Sequence, residues 1–362
     1  MVKDSFVHVP VRIRAIGVGG GGCNAINRMV RSEVHGVEFI AVNSDVQALM
    51  ANEARSRVQI GRETCRGMGA GGDPERGRQA VEENLAEIRE VVKGAQIVFV
   101  AAGMGGGTGT GAAPVVAKLA RESGALTIGI VTTPFKFEMA RRMRVAEEGL
   151  AQLGKEADAM IVIPNERLLS ITDGKTTVDG AFQKADDVLM TGVRAISEVI
   201  TVPGLINLDF ADVNAIMKNA GPCRMAIGSG SGRNRMMEAA QAAVTSDLLG
   251  TPIDGATGVL YVVSGPPELT LAEVGQAAQV IQGSLHQEAM VIFGVTIDPK
   301  LGGNVAITLV ATGFAPIEKM TKQRKDEEFR RVIDELEEDE SQLEAPAFKR
   351  RPVSMRQISG RP

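Results

Sequence analysis

The sequence predicts an α/β fold: a Rossmann-like parallel-sheet domain, a long central helix, and a second α/β domain with a mixed sheet. Three observations predict it. Short, nearly continuous apolar runs alternate with amphipathic stretches as far as about residue 163, the pattern of parallel strands covered on both faces. Glycine-rich loops stand where those strands give way to helices. Beyond them, one apolar stripe recurs every three or four residues from Val178 to Ile200, which is a helical period.

VRIRAIGVG (11–19), VEFIAVN (37–43), QIVFVAAG (96–103), ALTIGIV (125–131) and AMIVIPN (159–165) read as strands. PERGRQAVEENLAEIREVVKG (74–94) reads as a helix with Pro74 at its start, and AAPVVAKLARES (112–123) as another with Pro114 in its first turn. Val178, Phe182, Ala185, Leu189, Val193, Ile196 and Ile200 define one helix over 178–201, roughly 36 Å long at 1.5 Å per residue. Pro203 and Gly204 end it. GPCRMAIGSG (221–230), GVLYVVSG (258–265), MVIFGVTIDP (290–299) and NVAITLVATG (304–313) then read as strands, with helices at 232–249 and 270–286. PKLGG between the last two strands reads as a hairpin link.

The expected organisation is an N-terminal extension (1–10), a first domain (11–177), the central helix (178–202), a second domain (203–316), a charged linker (317–342) and a basic tail (343–362). Residues 317–340 hold ten acidic and six basic side chains, and none of the residues from Ala345 on is acidic. The linker is readable either as a solvated helix or as disordered chain.

The chain has 362 residues, 44% of them hydrophobic, so it can bury large cores; only 3% are aromatic, so Val, Ile, Leu, Ala and Met must fill them. A net charge of -4 argues against a nucleic-acid-binding body. Cys23, Cys65 and Cys223, like His8, His35 and His286, are scattered with no disulfide or metal spacing. The N-terminus lacks a signal-peptide pattern and no apolar run spans a bilayer. We expect a reduced, soluble, cytoplasmic protein that does not insert in a membrane.

Three glycine loops precede helices: IGVGGGGCN (16–24) and GMGGGTGTG (103–111), which each follow a strand, and GMGAGGDP (67–74). Turns without Cβ atoms let phosphate oxygens approach backbone N–H groups at a helix N-terminus. Gly17-x-Gly19-x-x-Gly22 satisfies the dinucleotide fingerprint, which alone is weak. A dinucleotide needs one such loop, whereas three imply a longer polyphosphate. No G-K-[ST] occurs, so this is not a Walker A loop. Backbone amides and the Thr108 and Thr110 hydroxyls would hold the phosphates, with Mg²⁺ balancing the charge.

GGGTGTG (105–111) resembles the tubulin signature in its FtsZ form. GGGGCN (19–24), NSDVQAL (43–49), GMGAGGDPERGR (67–78), PFKFE (134–138), PNERLL (164–169) and PGLINLDFADV (203–213) resemble segments of the tubulin/FtsZ family in the family's order, over about residues 11–315. The resemblance implies a GTPase that binds GTP or GDP with Mg²⁺ and stacks head to tail as a homopolymer at the division site. It implies nucleotide contacts from Gly19, Gly20, Gly21, Gly22, Cys23 and Asn24 in the first loop, and from Ala70, Gly71 and Gly72 in the second. In the third they come from Gly103, Gly105, Gly106, Gly107, Thr108 and Gly109. Asn43, Asp45, Thr132 and Pro134 lie in matching segments.

Base recognition has a physical logic beside the resemblance. Guanine offers two donors on one edge, and a carboxylate accepts both. Asp186 lies four residues after Phe182 on one helix face. The ring would stack while the carboxylate reads the edge; Asp187 is the neighbouring alternative, and core packing is the plain reading of Phe182. Asn165 matches the family's other base contact. Glu138 and Arg142 are spaced as a surface ion pair; by resemblance Glu138 contacts ribose and Arg142 lies near the terminal phosphate. Asn207, Asp209 and Asp212 open a helix, where Asp is a good cap. By resemblance they come from the next subunit and polarise the attacking water; a monovalent cation beside them is left open.

LEAPAFKRR (343–351) resembles the family's partner-binding peptide, which implies membrane-tethering and regulatory division proteins as partners. Here the peptide follows a short linker and is not terminal. Two alternatives remain: an NAD-binding dehydrogenase resting on the single fingerprint, and a tubulin-like GTP-binding filament without a division role.

Overall fold

The computed structural model describes residues 11–170, 176–202, 204–250 and 253–314. The N-terminal extension, the charged linker and the tail peptide lie outside the described residues. In chain order the first half holds β1 (Ile13–Val18), α1 (Gly19–Arg31), β2 (Val37–Asn43), α2 (Val46–Met50), β3 (Ser56–Gln59), α3 (Pro74–Glu82), α4 (Leu85–Val92), β4 (Ile97–Gly103), α5 (Thr108–Glu122), β5 (Leu126–Thr133), α6 (Met139–Glu156), β6 (Ala159–Pro164) and α7 (Asn165–Ser170). Then come α8 (Val178–Thr201), α9 (Phe210–Met217), β7 (Gly221–Gly230), α10 (Arg235–Val244), β8 (Gly258–Gly265), α11 (Leu271–Gln282), β9 (Met290–Ile297) and β10 (Val305–Thr312).

One ten-stranded sheet runs in the order β3-β2-β1-β4-β5-β6-β7-β10-β8-β9. From β3 to β7 every neighbouring pair is parallel. β10 alone is antiparallel to both its neighbours, which makes the second half mixed as expected. Side chains of one strand alternate between two cores. Ile13 and Ala15 face α1 and α8, whereas Ile16 and Val18 face the layer of α3 to α6. A third core lies under α10 and α11. Among the described residues no helix is long and apolar enough to cross a membrane.

The central helix has the bounds that its periodicity predicts. Thr177 caps it by accepting from the Gly180 N–H, and Ala185, Leu189, Val193 and Ile196 are buried. Its length of 24 residues spans about 36 Å.

Several expectations are corrected. PKLGG does not close a hairpin: β9 pairs in parallel with β8 at the sheet edge, and the chain crosses over β8 so that β10 inserts between β7 and β8. The single helix over 74–94 is two, because Asn84 leaves helical geometry and its side chain accepts from the Gly61 N–H at 3.1 Å. β3 escaped the sequence reading, since a four-residue SRVQ edge strand carries little apolar signal. The helices read at 232–249 and 270–286 are shorter: α10 follows a 3-10 turn at Gly232–Asn234, and α11 ends at Gln282.

Candidate functional site

In a parallel sheet the loops at the C-terminal strand ends gather at one edge. There the segments that follow β1, β2, β3, β4, β5 and β6 bring the glycine loops and their neighbours to a single cleft of about 600 Å³. Its lining takes Gly20, Gly21 and Asn24 from the first loop, and Asn43 and Asp45 after β2. Ala70, Gly71 and Gly72 come from the second loop, and Gly103, Gly106, Gly107, Thr108 and Gly109 from the third. Thr132, Pro134, Glu138, Arg142, Asn165, Phe182 and Asp186 close the far side.

Two helices start in this cleft without a side-chain cap. α1 follows Val18 and α5 follows Gly107; neither position makes a side-chain cap bond, and neither first turn holds an acidic residue. Their first N–H groups therefore lack intrahelical partners and carry the positive ends of two helix dipoles. Neighbouring α2 and α3 are capped by Asp45 and Asp73 instead. The cleft thus holds two uncapped helix starts on glycine loops, where backbone N–H groups can meet an anion.

The glycines there divide into two kinds. A Cβ on Gly20, Gly71, Gly72 or Gly106 would meet no atom within 4 Å, so these hold space open. Others permit close packing: a Cβ on Gly22 would sit 2.2 Å from the Ala101 oxygen, and one on Gly107 would sit 2.8 Å from the Ala70 Cβ. Gly19 has φ +72° and Gly105 φ +94°, backbone that L side chains rarely adopt. Gly19, Gly22, Cys23 and Gly105 are therefore scaffolding beneath the lining rather than part of it. The Cys23 thiol is buried, 3.6 Å from the Gly17 oxygen, and desolvation pushes its pKa up to about 12.

The threonines also separate. Thr108 lines the cleft, its hydroxyl 2.7 Å from that of Ser44. The Thr110 hydroxyl turns inward and accepts from the Gly105 N–H at 2.9 Å. It braces the loop and contributes nothing to the lining.

At the other end of the cleft, the Phe182 ring is 40% exposed, so core packing does not explain it. It meets buried Phe135 edge-on at 5.3 Å between centroids, and Phe135 stacks on Phe137 at 4.9 Å. Asp186 faces the cleft, whereas the Asp187 carboxylate accepts from Arg28 of α1. Burial, with Asp187 beside it, raises the Asp186 pKa from 3.8 to about 7. Asn165 is buried, and its Oδ1 accepts no hydrogen bond from the protein. A desolvated carboxylate and an orphan acceptor lining one cleft suit a donor-rich ligand edge. Glu138 accepts from the Phe135 N–H at 2.9 Å and pairs with Arg142 at 2.6 Å.

Asn207, Asp209 and Asp212 are not brought to the cleft. Asp209 caps α9 by accepting from the Asp212 N–H at 2.8 Å, and Asp212 accepts in return from the Asp209 N–H at 3.4 Å. Asn207 accepts from the Gly204 N–H at 2.7 Å. The sequence reading missed Ala48, Met68, Gly69, Met104, Thr133 and Ala185 in the lining. Gly69, Met104, Thr133 and Ala185 adjoin predicted residues, so extending those segments by one would have found them; Ala48 and Met68 carry no sequence signal of ligand contact. Among the described residues no three of His, Cys, Asp and Glu cluster as a metal site.

The profile of the Tubulin/FtsZ family GTPase domain matches residues 12–173, and that of the FtsZ family C-terminal domain matches residues 221–315. The chain is similar to an empty FtsZ dimer from M. jannaschii, at 42% identity over 84% of this chain and 89% of that one, with a TM-score of 0.82. It shares the fold of CetZ2 from Haloferax volcanii, a GTPγS-bound protofilament, at 21% identity over 90% and 100% of the two chains and a TM-score of 0.73. The GTPase-domain match covers the loop that carries the dinucleotide fingerprint, and so removes the dehydrogenase reading. With both profiles matched and 42% identity across 84% of its length to a solved member, this chain belongs to the FtsZ family.

Proposed function

We propose that this chain binds GTP in the cleft and hydrolyses it only when a second copy, stacked head to tail, brings its own 207–212 turn to the terminal phosphate. The observation that carries this reading is the place of that turn. Phe182 and Asp186 lie near the start of α8, while the turn follows its end at Thr201. Thr201 lies fifteen residue steps beyond Asp186 along the helix, about 23 Å at 1.5 Å per residue. A cleft that holds the nucleotide and a turn that holds the carboxylates thus sit toward opposite ends of one rigid helix.

In the bound state the N–H groups of α1 and α5 hold the phosphates, and Thr108 donates from its hydroxyl. Asp186 accepts from guanine N1–H and the 2-amino group, Asn165 presents its unpartnered oxygen to the base, and Phe182 stacks on it. Glu138 reaches the ribose, and Arg142 brings positive charge toward the terminal phosphate. A Mg²⁺ ion would enter with the substrate and offset phosphate charge, with no protein carboxylate cluster needed to hold it. Asp209 and Asp212 of the next subunit each use one carboxylate oxygen in their cap, so the other oxygens can orient the attacking water, with Asn207 alongside. Phosphoryl transfer needs mainly positioning and charge stabilisation, which two rigid subunits can share.

The dimer and protofilament forms of the similar structures support self-association. Filaments of this kind would build the cytoplasmic division ring, with the 343–351 peptide engaging tethering partners. Phosphate release measured against protein concentration, with Mg²⁺ and parallel sedimentation, tests the reading. Activity per subunit should be near zero below a threshold and rise with pelletable polymer. A constant rate at every dilution would overturn the shared site.

A further inference from the structure

We infer that Arg28 is a positioning residue for base recognition: by pairing with Asp187 it leaves Asp186 as the one uncompensated negative charge at this turn of the central helix. Arg28 is not among the residues that line the cleft, and no motif singles it out. It lies on α1, the helix whose N-terminus belongs to the phosphate cradle, and its Nε is 2.5 Å from Asp187 Oδ1 on α8. One ion pair therefore ties the helix at the phosphates to the helix at the base.

Asp186 and Asp187 point about 100° apart on the helix, so they do not touch, yet two carboxylates on consecutive residues repel. Asp187 and burial both oppose the Asp186 anion, and Arg28 favours it. Arg28 in turn interacts with both aspartates. Of the other charged groups near Asp186, exposed Lys184 lies three residues before Asp187 on the same helix and is screened by solvent, and Glu166 of α7 pairs with Lys136. Glu138 and Arg142 pair with each other, Asp45 caps α2, and Arg31 on α1 pairs with Glu53. Asn165, from the start of α7, brings no charge. With Arg28 removed, nothing else named here offsets Asp187, and the ionised Asp186 that guanine needs becomes harder to form.

The inference rests on the reading of Asp186 as the guanine acceptor, and the test separates the two. GDP affinity is titrated between pH 5.5 and 8.5 on the full chain, below any assembly threshold. Asp186→Asn supplies the baseline for titration of the nucleotide's own phosphates. Arg28→Ala should move the midpoint of the remaining pH dependence up by about one unit, the effect of one nearby charge. At pH 6.5 that is a loss of up to about tenfold, largely recovered at pH 8.5. Arg28→Lys should keep most of the parental profile. Asp187→Asn, which is isosteric, should move the midpoint down, and the Arg28→Ala/Asp187→Asn pair should restore the midpoint to the parental value or below it. If Arg28→Ala weakens binding equally at every pH, or if Asp187→Asn leaves the midpoint in place, Arg28 is only a structural tie and the inference fails. If Asp186→Asn itself binds with the parental affinity and pH profile, the Asp186 reading falls first and takes this one with it.

Discussion

The cleft and the carboxylate turn are built on opposite plans. The cleft is unfinished by itself: two helix starts lack side-chain caps, Asn165 Oδ1 lacks a partner, and Asp186 is desolvated without a counter-charge in contact. The turn is complete by itself, since Asp209 and Asp212 cap each other's backbone N–H groups and Asn207 accepts from Gly204. A region with unmet hydrogen-bonding capacity is shaped to bind. A region whose backbone demands are met internally is rigid enough to be presented to something else. The difference teaches that binding and chemistry can be allotted to separate surfaces of one chain, and it can be broken at either surface.

The largest expected effect is at the turn. Asp212→Ala or Asp209→Ala should lower GTP hydrolysis per subunit by roughly 10²–10⁴, the usual weight of a group that activates the nucleophile. Nucleotide affinity should stay within about twofold, because no ligand contact is touched. Each change also removes half of a capping box and costs about 1 kcal/mol of stability. If either variant loses GTP affinity instead, the contrast between the surfaces disappears. The sharper form mixes two variants. Asp212→Ala subunits keep a cleft and Gly106→Ala subunits keep the carboxylates, so at GTP low enough to leave the weakened clefts mostly empty, co-polymers should hydrolyse faster than either variant alone.

At the base end, Asp186→Asn should weaken GTP binding by about ten- to a hundredfold, the worth of hydrogen bonds to a charged acceptor. The same change should improve binding of xanthosine triphosphate, whose 2-oxo group accepts where guanine donates. Competition titration of the two nucleotides checks it. Equal losses for both would mean that Asp186 does not read the base edge.

The two kinds of glycine give the next contrast. Gly106→Ala adds a methyl group that meets no protein atom within 4 Å, so the melting temperature should hold while nucleotide affinity drops by on the order of tenfold. Gly107→Ala drives its Cβ to 2.8 Å from Ala70 and 2.9 Å from the Asp73 backbone. It should cost about 1–3 kcal/mol of stability as well. Thermal melts with and without GDP distinguish the two; a large loss of stability in Gly106→Ala would show that this glycine is scaffold too.

Much of this was legible in the sequence because the signals were local. Parallel strands covered on both faces are nearly continuous Val, Ile and Ala, so β1, β2, β4, β5 and β6 could be read to within a few residues. The spacing from Phe182 to Asp186 pointed to the cleft residue, while the pairing that occupies Asp187 came from Arg28, 159 residues away, and no window of sequence contains it. Non-local pairing also defeated the hairpin reading, since a short Gly-rich link looks the same whether it joins neighbours or crosses a strand. Thr108 and Thr110 are two residues apart in one helix turn and face different ways, so composition alone credited both with phosphate contact. The turn at 207–212 carried two valid meanings at once: its cap is intramolecular, and its proposed chemistry belongs to another copy.

The smallest effect is a pH dependence with opposite signs in the two states of the cleft. Asp186 has a folded pKa of about 7 against 3.8 for the free side chain. Between those values the folded chain holds a proton that the unfolded chain has released, so nucleotide-free stability should fall as pH rises through this window. Glu198 is also raised by burial and adds a trend of the same sign. Glu53, Glu75, Glu83 and Glu273 are lowered from 4.5 by their partners, so the stability they add is lost as pH falls through and below that value, beneath the range of the melts proposed here. On the proposed reading guanine is held by the Asp186 anion, so GDP affinity should rise over the same window. Melting temperatures from pH 5.5 to 8 should therefore decline less steeply, or climb, when GDP is saturating. Asp186→Asn should remove most of the difference between the two curves and leave only the Glu198 contribution in the nucleotide-free slope. Parallel curves in the parental protein would mean that Asp186 titrates alike with and without the base, and that the cleft is less dependent on its ligand than the turn comparison requires.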